Sequence, residues 1–322
     1  MGQVLIRNLS LLFLLMVLGF LLPRLIPGSP LSFSGEEINV LNLRLPEDTF
    51  NRFKDYYVPE KPIIYQLLLY FQHLFRGDWG YSFHFGLPVK GIILSRVNLT
   101  LFLSITSIFL ATSTALPLGA FMAISRNSAW HSFMLMSLVA VQSVPVFLLA
   151  ILFQMFFAYQ LGWFPSFGAY PPGMIPGDPE FVYSLARHSI LPLLVLTLSG
   201  IPPVAILTRN VVQKVKGEFF VEQAYYFGIR SRIIRIYYIL LNSMPEILGR
   251  LNIVFLYAVA GALFVEIIFS YPGMGALMKV AVESRDYPLI QGIFLVISLY
   301  SITVNLVFEI IFTKINPKLA LK

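Results

Sequence analysis

Apolar runs of about 20 residues recur along this chain, near positions 5–26, 98–124, 132–158, 189–208, 249–270 and 289–312. In hydrocarbon a backbone N–H or C=O finds no water, so runs of this length fold as helices that cross a bilayer core about 30 Å thick. An all-α membrane protein with six transmembrane helices is predicted, and the rest of the sequence has to be arranged around those spans. Composition agrees, with 57% hydrophobic and only 12% charged residues, against roughly a quarter charged in soluble domains. The formal charge of +7 is read as basic residues retained on one side of the membrane, so lipid and not nucleic acid is the expected partner. The absence of cysteine removes disulfides and thiolate chemistry and leaves the compartment open.

Arg7 precedes the first run, as in a secretory signal, but the run exceeds the roughly 7–15 residues of a signal core and no small-x-small cleavage site follows. It is expected to stay as a helix. Placing the N-terminus inside puts Arg126, Arg209, Lys214, Lys216, Arg230, Arg232 and Arg235 inside, with Lys314, Lys318 and Lys322 at an inside C-terminus, as the positive-inside bias requires. The predicted organisation is a first span at 1–26, an external segment at 27–97, and a core at 98–322 with a cytoplasmic loop at about 209–248. The external segment holds seven basic and seven acidic residues, and a loop this long translocates regardless of charge. Its middle, Pro62 to Phe75, has helical apolar spacing and is expected on the outer surface or capping the spans, followed by a glycine-bounded turn from Arg76 to Phe83. The segment 159–188, rich in Pro and Gly, reads as an ordered loop.

Between spans four and five the chain turns polar and basic, from Glu218 to Arg235. A positively charged inside loop would need no internal order, yet this stretch has order. Val221, Ala224 and Tyr225 fall on one helical face, Gly228 allows a left-handed break, and Ile229-Arg230-Ser231 opens a second helix running to Leu241. Two short helices meeting at a glycine make a rigid knob that something outside the membrane can grip.

At these residues the chain resembles the inner-membrane permease subunits of ATP-binding-cassette importers, whose cytoplasmic loop carries an alanine followed four residues later by glycine. Ala224 and Gly228 have that spacing, and Asn242-Ser243-Met244-Pro245 is similar to the Asn-Ala-Leu-Pro that ends the motif region. The finer resemblance is to the dipeptide, oligopeptide and nickel permease family, carried by blocks in the family's order. They are Ile26-Pro27-Gly28-Ser29-Pro30, Lys61-Pro62 with Gln66, Gly77-Asp78-Trp79-Gly80-Tyr81-Ser82, Pro117-Leu118-Gly119 and Ser143-Val144-Pro145-Val146-Phe147. Further along come Leu161-Gly162-Trp163-Phe164-Pro165 with Gly168, Glu266 to Gly275, Arg285-Asp286-Tyr287-Pro288 with Gln291, and Asn316-Pro317-Lys318. Two places depart from the pattern: Tyr226-Phe227 stands where a small and a basic residue are usual, and Asn316-Pro317-Lys318 replaces Asp-Pro-Arg.

The resemblance implies a permease subunit of a prokaryotic cell membrane, forming half of a translocation pathway. Its knob would sit in a groove on a separate cytoplasmic ATPase, with Glu218, Val221, Glu222, Ala224, Tyr225, Gly228 and Arg230 at the contact. Expected partners are a second homologous permease, one or two such ATPases and an extracytoplasmic substrate-binding protein. Peptides or related small solutes are the implied cargo, with nickel or metal chelates and oligosaccharides as alternatives. No Gly-x-x-x-x-Gly-Lys-Ser/Thr sequence occurs; Gly273 to Lys279 comes nearest, and Met278 stands where glycine is required. ATP and Mg are therefore expected on the partner ATPase, with no cofactor or metal held by this chain.

Polar groups within spans cost about 2.5–3.5 kcal/mol for a central charge on insertion scales, which makes them functional candidates. Gln142, Ser143, Asn252, Glu266 and Asn305 are the candidates for the pathway. Glu266 reads equally as an interfacial or packing carboxylate, and Asn252 and Asn305 read first as interhelical hydrogen-bonding partners. The histidines at 73, 84, 131 and 188 show no ligand spacing. An intramembrane enzyme is the alternative of another class, and it would need a His-Glu-x-x-His, a Gly-x-Gly-Asp or a Ser/His pair in the spans, none of which appears.

Overall fold

The computed structural model describes residues 2–25, 61–125, 128–175 and 177–315. The sequence blocks Ile26 to Pro30 and Asn316-Pro317-Lys318, and the topology residues Arg126 and Lys322, lie outside the described residues. What is described is helical, with one isolated antiparallel bridge between Tyr81 and Pro88. In chain order the helices are α1 (Gly2–Leu25), α2 (Ile63–Phe75), α3 (Val89–Ile124), α4 (Ser128–Gln142) and α5 (Val146–Gln160). They continue as α6 (Phe181–Lys216), α7 (Phe219–Tyr226), α8 (Ser231–Ile268), α9 (Met274–Glu283) and α10 (Tyr287–Ile315).

Five helices, α1, α3, α6, α8 and α10, are long and apolar enough to cross a membrane, and α4 with α5 makes a sixth span if the bent pair is counted as one. The third span is therefore not the continuous helix expected over 132–158. It breaks at 143–145 and bends by 92°. Pro145 has no N–H to give the preceding turn, and its ring disfavours helical backbone at Val144. Ser143 closes the end of α4, its hydroxyl donating to the Val139 carbonyl at 2.8 Å, and the Pro145 carbonyl then accepts the first bond of α5 from Leu149.

The chain falls into two compact units, one of residues 1–99 and 272–303 and the other of 100–271 and 304–322. In the first, α2 packs against the flank of α1. Phe71 stacks on Phe13 at 5.3 Å, Tyr70 lies 5.5 Å from Phe20, and Arg24 sits 3.6 Å over the Phe20 ring while donating to Gln66. The contacts thus lay α2 along the side of α1, a placement other than the outer surface or the cap expected from sequence; Phe13 lies 12 residues in from Leu25, about 18 Å at helical rise.

The second unit is built around a core of small and branched side chains from α3, α4, α6, α7 and α8, among them Ala115, Met122, Leu138, Val204, Val212, Ile239 and Ile247. Close helix approach makes this core, in the way small residues do at membrane helix contacts. At Gly119 of α3 a Cβ would run into the Ala205 carbonyl oxygen and come within 2.7 Å of the Thr208 Cβ of α6. Only glycine permits that approach.

Candidate coupling and pathway sites

Helix α7 has eight residues, too few to be stable alone in water, so its position has to come from packing. Val221 and Ala224 supply it: they are 0% and 2% exposed and belong to the core cluster with Val211, Val215 and Ile234. Tyr225, expected on the same face, lies on its flank and is 47% exposed.

The end of α7 explains the Ala-x-x-x-Gly spacing physically. Gly228 has φ +70°. Its N–H bonds to the Tyr225 carbonyl at 3.0 Å, and the Ile229 N–H reaches back to the Ala224 carbonyl at 3.2 Å. These are the paired bonds of a Schellman cap, which needs a left-handed residue four positions after the carbonyl it closes on. Ala224 is thus both the buried anchor and the acceptor, and Gly228 is the residue that turns the chain.

After Arg230 the chain enters α8, which runs to Ile268 and does not stop at Leu241 as expected from sequence. The turns from Ile234 to Leu240 are π-helical, with backbone bonds reaching five residues on instead of four. Asn242 adds side-chain bonds to this wider turn, its Nδ2 donating to the Tyr238 carbonyl at 2.7 Å and the Tyr237 carbonyl at 3.1 Å, and the Ser243 hydroxyl donates to the Ile239 carbonyl. The helix therefore widens and continues. Glu246 ties it to α6, accepting from Lys214 at 3.0 Å and from Arg250 of its own helix at 2.7 Å. These pairs are partly exposed, so each is worth about 1 kcal/mol or less.

The outward side of the knob is charged and aromatic. Glu218 and Glu222 are exposed, Glu222 accepting from the Tyr226 hydroxyl at 3.4 Å. Arg230, Arg232 and Arg235 are exposed and make no ion pair among the described residues. Phe219, Tyr226 and Phe227 are 70%, 82% and 80% exposed.

Of the pathway candidates, Asn252 and Asn305 are brought together, Asn252 Nδ2 donating to Asn305 Oδ1 at 2.6 Å between α8 and α10. Gln142 and Ser143 lie at the α4–α5 break, and both are exposed. Glu266 is fully buried near the end of α8, 14 residues and about 21 Å beyond Asn252. Its backbone carbonyl accepts from Tyr271 N–H at 2.8 Å, while the Tyr271 hydroxyl meets Ser189 of α6 at 2.9 Å.

In the first unit two of the sequence blocks, those holding Ser82 and Asp286, meet in a junction that the sequence reading does not anticipate. Asp286, fully buried just before α10, accepts from the Ser82 hydroxyl at 2.5 Å, the His84 N–H at 3.1 Å and the Leu289 N–H at 3.3 Å. Ser82 in turn accepts from the Phe85 N–H at 3.1 Å. One carboxyl therefore caps α10 and fastens the turn that leads into α3. Burial pushes its pKa above the ordinary 3.8, and the bonds from Ser82, His84 and Leu289 pull the other way without overcoming it. The available signal was an acid two residues before Pro288, where a helix start is expected.

Residues 115–321 match the family model described as the inner membrane component of binding-protein-dependent transport systems. Over 98% of its length the chain is 31% identical to a Brucella suis biovar 1 (strain 1330) protein bearing a peptide permease name, covering 97% of that protein. It is 30% identical, over 97% of its length and 95% of the relative's, to the glutathione transport system permease protein GsiC of Escherichia coli K12. Among solved structures it resembles a chain of the MetNI methionine ABC transporter in inward-facing conformations, at TM-score 0.57 and 15% identity, over 70% of this chain and 96% of that one; this likeness speaks for the fold alone. A helical membrane chain with this order of spans, matched over residues 115–321 and related over nearly its full length, belongs to the family of inner membrane components of binding-protein-dependent transport systems.

Proposed function

We propose that this chain is one of two membrane subunits of an ATP-driven importer of short peptides, and that α7 is where a separate ATPase acts on it. The observation that carries the proposal is the anchoring of α7: a short helix buried on one side by Val221 and Ala224, capped by Gly228 and joined directly to a spanning helix. A rigid element of this kind can pass a displacement on to the spans, whereas a floppy loop would absorb it. Short peptides are supported as cargo by the names of the Brucella and Escherichia relatives, glutathione being itself a tripeptide. In this reading the knob faces the cytoplasm, ATP and Mg bind to the partner ATPase, and the chain has no catalytic activity of its own. A second permease completes the pathway, and an extracytoplasmic binding protein delivers the cargo.

The experiment is reconstitution with a candidate partner ATPase and a second permease of the same family from the same organism. Gly228→Pro, which cannot adopt positive φ, is expected to abolish ATPase co-purification and peptide-stimulated ATP hydrolysis while membrane insertion continues. Wild-type ATPase binding by that variant would remove the proposal.

A further inference from the structure

Five large aromatic residues, Phe219, Phe220, Tyr225, Tyr226 and Phe227, are crowded into nine positions at α7, and all are exposed. Phe219 and Tyr226 are seven positions apart, two helical turns, and so stand on one face, opposite Val221 and Ala224. Aromatic rings at this density have to be covered by lipid or by protein.

Distance decides against lipid. Arg209 on α6 and Arg250 on α8 are the charged residues that end the longest uncharged runs of these helices. From Arg209 to Lys216 α6 continues for eight residues, about 12 Å, and α8 has 19 residues from Ser231 to Gly249, about 28 Å. The headgroup layer beyond the hydrocarbon is only about 5–8 Å thick on each side. The salt bridge between Lys214 of α6 and Glu246 of α8 holds the two extensions together. The rings therefore stand clear of the belt in which membrane proteins usually place Trp and Tyr. Following them in sequence are Arg230, Arg232 and Arg235, exposed and without ion pairs among the described residues. Aromatic side chains flanked by arginine are the composition of an interface centre.

We propose that Phe219, Tyr226 and Phe227 are the anchors that select the ATPase, filling an apolar cleft on that subunit whose rim presents carboxylates to Arg230, Arg232 and Arg235. The inference rests on the reading above, that a separate ATPase grips α7, and adds what that ATPase must offer. A subunit with a polar or basic cleft would be refused, because it would leave the rings wet or set like charges against the arginines.

The test measures ATPase affinity for the full permease pair in nanodiscs, for wild type, Tyr226→Ser/Phe227→Ser, Arg230→Gln/Arg232→Gln/Arg235→Gln, and Gly228→Pro. The double serine variant is expected to weaken binding about 100-fold, as loss of two hot-spot side chains does. The triple glutamine variant is expected to weaken it about tenfold and to flatten its dependence on salt. Wild-type affinity in the double serine variant, with binding lost in Gly228→Pro, would overturn the anchor assignment and leave the coupling site standing. Wild-type affinity in both would remove the coupling site as well. If Phe227→Trp emission were quenched by brominated lipids in the absence of ATPase, the patch would be covered by lipid and the inference would fall.

Discussion

The knob at α7 and the junction at Asp286 treat water in opposite ways. At the knob, apolar rings project into solvent while two small side chains hold the helix from behind; at the junction, a carboxyl is fully buried and its acceptor capacity is met by a hydroxyl and two backbone N–H groups. A surface that leaves Tyr226 and Phe227 uncovered is unfinished until another molecule arrives, whereas the contacts of Asp286 are completed within the chain. Under the proposed function, incompleteness at one place and completeness at the other separate the part that would take input from a part that holds shape.

The largest effect that could break this contrast is expected at Val221. Val221→Asp would bury a charge without a partner behind the knob and cost about 4 kcal/mol or more, enough to lose the folded subunit. Thermal unfolding of the detergent-solubilised protein reads it, and a tolerated aspartate would mean that α7 is not anchored. At the junction, Asp286→Ala would strand the Ser82 hydroxyl and the His84 and Leu289 N–H groups, for a loss of about 3 kcal/mol. The same carboxyl makes stability depend on pH. Its folded pKa is raised above the ordinary 3.8 by burial, so the native state holds the proton more tightly than the unfolded chain. The stabilisation from that proton is complete below the unfolded value and disappears as pH rises through the folded one. Wild type minus Asp286→Asn, measured by unfolding midpoints from pH 3 to pH 7, should therefore fall with increasing pH; a flat difference would mean that the carboxyl is not desolvated. The smallest expected effect sharpens the contrast: Tyr226→Ser should change stability by no more than about 0.5 kcal/mol, because its ring is 82% exposed and packs against little within the chain.

Hydrophobicity made the spans legible, since about 20 apolar residues in a row have few other uses. The knob was legible for a different reason, because the left-handed glycine of a Schellman cap stands four positions after the carbonyl it closes on, and Gly228 follows the small, buriable Ala224 at that spacing. The break at Ser143 to Pro145 was visible as a proline inside an apolar run, but Pro117 and Pro245 stay within continuous helices, and local sequence does not say which proline will bend the chain. The continuation of α8 past Leu241 was hidden because it depends on Asn242 and Ser243 bonding back to carbonyls of a widened turn. The junction was hidden by distance, as Ser82 and Asp286 stand 204 positions apart, and nothing local to either residue announces the other.

The unbroken course of α8 has a mechanical consequence. Its 38 residues make a rod about 57 Å long, with the Gly228 turn just before one end and Glu266 at the other. Pivoting as a rigid body about one end by only about 5° would carry the other end sideways by about 5 Å, close to the pitch of one helical turn. A few degrees of tilt imposed at the knob would thus be enough to re-register a packed contact at the far end, with no need for the helix itself to bend or unwind.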